Sequence, residues 1–226
     1  NTQSISSATN ASENFYNFTC SKSGGTLTAG SGTINTINAA GDILISGGTI
    51  VLPATVNSSG NWTRNGGTVT VGTGIVNFIG TASKQINGTT ATQNFNDVTI
   101  NKSVGTGITV SGSTTTLGMR NFTETQGDFT TCATTNVTGD WTHTTGTFSH
   151  NNGTVNFTNT TANQVITSTG LTTETFYNLT MNKAAGFTLQ PTGTFTTLDM
   201  DNTITLTAGT FIAPATTRVG LNWSKA

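Results

Sequence analysis

The chain has 226 residues, of which 8% are charged, with a net charge of -1 and a pI near 6.1. Eight Lys and Arg without a basic run leave no electrostatic footprint for nucleic acid. No apolar run approaches a membrane span and no basic amphipathic helix is visible, so membrane insertion is not expected.

Thr supplies about a quarter of the residues and Asn, Ser and Gly much of the rest. Thr is β-branched and favours strands, while Gly and Asn punctuate them with turns. A hydrophobic share of 33% is thin for the two inner faces of a sandwich, yet it suffices for a narrow core shared along stacked short strands. Asn1 follows neither an initiator Met nor an apolar leader, so any signal peptide is expected to have been removed or to lie outside this segment.

In chain order, the first anchor is Phe15-Tyr16-Asn17-Phe18-Thr19-Cys20-Ser21-Lys22. Short strand-like runs follow at Leu27-Thr28-Ala29, Ile43-Leu44-Ile45 and Thr49-Ile50-Val51, separated by glycines. A second anchor, Gly60-Asn61-Trp62-Thr63, precedes the runs Thr68-Val69-Thr70-Val71 and Ile75-Val76-Asn77-Phe78. The first anchor then returns at Phe95 to Lys102 and at Phe176 to Lys183. The second returns at Trp141 and Trp223. Both recur about every 80 residues, and Gly48, Gly127 and Gly209 each stand at one distance before their tryptophan. The chain therefore reads as one array with units at about 1–62 (a partial start), 63–141 and 142–223, and a short tail, 224–226. No stretch carries a helical period.

These features predict an all-β, parallel β-helix or β-solenoid of about three repeats, with coils of roughly 16–20 residues and four or five coils per unit. The alternative is a string of small antiparallel sandwiches, which the thin core and dense turns disfavour.

The strings FYNLTMNK, GNWTRNGGTVTVGTGIVNF and GDWTHTTGTFSHNNGTVNF resemble the Thr/Gly/Asn-rich tandem repeats of very large secreted prokaryotic surface proteins, of adhesin-like or autotransporter-like kind. That resemblance spans the chain and implies secretion, a parallel β-helix stalk and a cell-surface or matrix role. It carries over no functional residues.

Candidate sites are few. Cys20 stands where Ile100 and Met181 stand in the other units, and Cys132 where Pro53 and Pro214 stand, so a disulfide between them is not expected. His143 and His150 share one short segment and read as surface residues on a strand and a turn. Most acids are isolated. Asp97 replaces Asn17 and Asn178, and Asp140 replaces Asn61 and Asn222, as turn or stacking residues. Asp199 and Asp201 fall on one face of a strand and read as solvated, with a weak Ca²⁺ site as the alternative. No catalytic residue, metal ligand or cofactor is expected. Candidate glycosylation sequons begin at Asn10, Asn17, Asn57, Asn61, Asn87, Asn101, Asn121, Asn136, Asn152, Asn156, Asn159, Asn178 and Asn222. Phe15, Phe95, Phe176, Trp62, Trp141 and Trp223 are the expected core anchors of the repeats, the tryptophans alternatively forming a ladder for carbohydrate.

The expected function is structural: a subunit or stalk segment of a self-associating extracellular filament, sheath or long adhesin, whose partner is itself, head to tail. A glycan-binding adhesion module is the alternative. A polysaccharide-active enzyme would need a carboxylate cluster that the sequence does not reveal.

Overall fold

Short stretches such as Thr55-Val56-Asn57-Ser58 alternate in burial, a period of two sending Val56 and the small Ser58 inward and Thr55 and Asn57 outward. The computed structural model, which describes residues 1–225, repeats that pattern in strands throughout, with no helix among the described residues. Each coil carries three strands. Ile43–Val51 runs along a first face and turns onto a second, and Thr55–Ser58 forms the third. The next coil repeats them as Trp62–Arg64, Thr68–Thr70 and Ile75–Gly80.

Every pairing is parallel and joins a strand to the one a coil away, as in Ile43 with Trp62 and Val56 with Val76. The third face is one continuous 10-stranded sheet, so the chain makes a β-solenoid of about ten turns. Sandwiches are excluded, because they would need antiparallel neighbours within each unit. Some coils fall within the expected 16–20 residues, as Thr116 to Thr134 with 18, while others are longer, up to 25 from Trp141 to Ile166.

Longer coils change how the repeat maps onto the turn. Trp62 lies on the first face. Trp141 lies on the third, three pairings on from Val76 through Val98 and Phe122. Trp223 lies on the second, three pairings on from Val155 through Leu179 and Ile204. Each repeat thus advances three and two-thirds coils, not four or five, and equivalent residues step round the rod by a third of a turn. At about 4.8 Å per coil one repeat rises about 18 Å, below the 20–24 Å that four or five coils would give.

Inward side chains form a single core. Phe122 packs on Trp141 at 4.2 Å between ring centroids and on Phe129 at 4.9 Å, and Trp141 meets Phe176 at 5.3 Å. Phe95, Phe176, Trp62 and Trp141 are buried as expected of anchors, whereas Phe15 is partly buried and Trp223, on the last described strand, is half exposed.

Polar side chains bind coil to coil. Asn17 Oδ1 accepts from the Asp42 amide, Asp42 Oδ1 from the Asn61 amide and Asn61 Oδ1 from the Gln85 amide, at 2.8, 2.8 and 3.0 Å. Asp97, Asn121 and Asp140 repeat the chain of contacts one unit on. Only an acceptor oxygen is needed, which is why Asn and Asp exchange there. On the third face, Asn14, Asn38, Asn57 and Asn77 form an outward amide ladder with bonds of 2.7–2.8 Å.

The recurrent glycines have a steric cause. Gly48, Gly127 and Gly209 hold φ of 71°, 90° and 86°. A Cβ on each would lie 2.7, 2.7 and 2.8 Å from the Cβ of Lys22, Lys102 and Lys183, the lysines that close the first anchor. Lys102 and Lys183 are themselves buried. Lys102 Nζ donates to the Ile79 carbonyl at 2.6 Å; Lys183 Nζ donates to the Asn159 carbonyl and to Gln164 Oε1, both at 2.9 Å.

Candidate functional site

The most polar part of the core is a cluster of Glu124, His143 and Glu174. Glu124 lies on the strand Asn121–Gln126 and pairs across the third face with His143 of Trp141–His143. Glu174, on Thr173–Asn182, enters from the first face. All three alternate with outward threonines, so the pleat that buries Phe122 and Phe176 buries them too.

Glu174 is well served. Its Oε1 accepts from Trp141 Nε1 at 2.9 Å and its Oε2 lies 3.0 Å from His143 Nδ1. Glu124 is not. Neither of its carboxylate oxygens has a hydrogen-bond partner, nor does His143 Nε2, which stands 3.8 Å from Glu124 Oε2. Burial, the largest cause, lifts the Glu124 carboxyl to about 8; the His143 charge opposes this, and Glu174 and Asp128 add to it. For His143, burial pulls downward, but the bond to Glu174 and the fields of both glutamates prevail, and its pKa stands above the ordinary histidine value. The cluster is closed to solvent. Among the described residues no three His, Cys, Asp or Glu side chains converge on a position for a metal ion.

His143 is therefore a buried residue rather than a surface one, and two acids that look isolated in sequence meet in the core. A signal for this was present. The residue two after each tryptophan is basic (Arg64, His143, Lys225), and the residue two before each anchor phenylalanine is Glu13, Gln93 or Glu174. Both positions keep the parity of buried neighbours. In the preceding unit Arg64 reaches the Thr92 carbonyl at 3.2 Å, beside the buried Gln93.

The other candidates separate. His150 is half-buried at a turn, and its Nε2 lies 2.9 Å from Asp201 Oδ2, while Asp199 faces Arg218 at 3.9 Å. The two aspartates thus take different partners. Cys20 and Cys132 are free and buried. Burial raises the Cys132 thiol.

The sequon asparagines fall into classes. Asn10, Asn57, Asn61, Asn87, Asn156, Asn159 and Asn178 each commit the Nδ2 nitrogen to a hydrogen bond. Asn121 and Asn136 are partly buried and accept through Oδ1. Asn17, Asn101, Asn152 and Asn222 are exposed. The tryptophans lie on three different faces, two of them buried, and so form no ladder on one face.

No protein-family model matches the chain, and neither the curated proteins nor the solved structures contain a match to it.

Proposed function

We propose that the chain is structural rather than catalytic: a rod-forming segment of a secreted surface filament, sheath or long adhesin that associates with copies of itself end to end. The observation that carries this reading is the solenoid's extendable, three-sided stack of parallel strands. Every coil offers the next one the same three parallel edges, and three repeats fit eleven whole coils, about 53 Å, after which the pattern begins again on the same face.

The parallel strand edges of such coils are of the kind that pairs with another chain. The low charge and the abundance of Thr and Asn suit an extracellular surface.

Electron cryo-microscopy of the purified chain over a concentration series tests this. The expected result is end-to-end rods with layers about 4.8 Å apart and tryptophan-equivalent density stepping about 18 Å and a third of a turn per repeat. Separate particles of about 50 Å at every concentration would remove self-association. A hit on a glycan array from such particles would favour an adhesion module instead.

A further inference from the structure

The Glu124, His143 and Glu174 cluster is buried in the middle of the rod. Glu124, His143 and Glu174 are 0%, 4% and 1% exposed and come from three coils, so their charges bear on several coil-to-coil contacts at once. The charged groups acting on Glu124 are His143, Glu174 and Asp128, the last from the neighbouring strand Asp128–Thr130; only His143 is a cation. One imidazolium can offset one carboxylate. Glu174 already engages His143 Nδ1 and the Trp141 N–H, and Glu124 is left with no donor on either oxygen. An unpaired carboxylate in an apolar interior is costly, and keeping a proton avoids the cost.

We propose that Glu124, His143 and Glu174 form a proton-gated lock in the core, which holds the central coils closed while Glu124 is neutral and lets them open more readily as the medium turns alkaline. The sign follows from where the protons are held. Glu124 rises from an ordinary 4.5 to about 8 when folded, and His143 also rises, so both bind protons more tightly in the closed state. Opening releases protons, and closure weakens with rising pH: for Glu124 from about 4.5 to about 8, for His143 from about 6.5 upward. Between about pH 5 and about pH 8, Glu124 alone enlarges the opening constant by a few hundredfold.

Hydrogen exchange of the whole chain, corrected for the intrinsic effect of pH, reads this strand by strand. Amides of Asn121–Gln126, Trp141–His143 and Gln164–Ser168 should open at least a hundredfold more at about pH 8 than at about pH 5, relative to Thr36–Ala39 and Thr55–Ser58 far from the cluster. Glu124→Gln, neutral at every pH, should remove most of that difference. Should Glu124→Gln not fold, Glu124→Leu decides, since it removes the titrating group and puts there an apolar residue of the kind that Ile45 and Leu206 supply in the other units. Equal pH response in the central and distant strands overturns the proposal, as does a full response in either variant.

Discussion

Gly127→Ala tests whether the repeat's recurrent glycine exists for coil stacking or only for a turn. At Gly127 φ is +90°, and an added Cβ would stand 2.7 Å from Lys102 Cβ and 2.8 Å from the Thr106 carbonyl. The left-handed backbone alone costs an L-residue about 1–2 kcal/mol, less a few tenths recovered from the stiffer unfolded chain. Crowding a packed site adds about 1–3 kcal/mol, giving about 3 kcal/mol in all. Gly105→Ala is the matched control: φ is +74°, but nothing lies within 4 Å of the added Cβ, so only about 1 kcal/mol is expected. Urea unfolding followed by circular dichroism and by tryptophan fluorescence, which should coincide, gives both values. Equal losses for the two variants would refute the stacking argument and leave backbone conformation as the whole cause.

Trp141→Phe keeps the ring against Phe122 but removes the donor to Glu174, and should cost about 1.5–3 kcal/mol in the same assay; a loss below about 0.5 kcal/mol would mean that bond is idle. Asn57→Ala breaks two rungs of the amide ladder and should cost about 1–2 kcal/mol, whereas Asn101→Ala, on an exposed side chain, should stay within about 0.5 kcal/mol. Expressed in a host that glycosylates sequons, the chain should carry sugar at Asn17, Asn101, Asn152 or Asn222 and not at Asn57 or Asn156, whose Nδ2 atoms are engaged; glycopeptide mass spectrometry reads the sites directly.

Fold class was legible because alternation and turn chemistry are local properties. Ile43-Leu44-Ile45 and Ile75-Val76-Asn77-Phe78 state their own pleat, and the structure places them in Ile43–Val51 and Ile75–Gly80. Coil length was not legible, since it depends on how many residues each corner absorbs. Thr116 to Thr134 spans a tight coil and Trp141 to Ile166 a loose one, though both lie in the same array. The glycine at 127 was visible as a recurrence, but its reason was not, because Lys102 comes into contact with it only across a coil. The cluster was hidden for a related reason. Glu124 and Glu174 are fifty residues apart, and only the knowledge that 124 and 143 share one face while 174 enters from another brings them together.

A repeat of eleven strands wound three to a coil has a consequence for where sites can form. Since eleven is not a multiple of three, each unit meets its neighbours with its faces permuted, and no outward residue recurs above its own equivalent until the fourth unit. A surface ladder built on the anchors is thereby ruled out, as Trp62, Trp141 and Trp223 illustrate. Inward positions escape this restriction, because all three faces open onto the same narrow core. The position that holds Glu124 holds Ile45 and Leu206 in the other units, on three different faces, each paired with a basic residue one coil on: His143, Arg64 and Lys225. Glu at that position, where the other units hold Ile45 and Leu206, meets His143 and Glu174 of the following unit, so the polar site is shared across the junction of two units. The array can keep its shape through its glycines and asparagines while varying its core chemistry unit by unit.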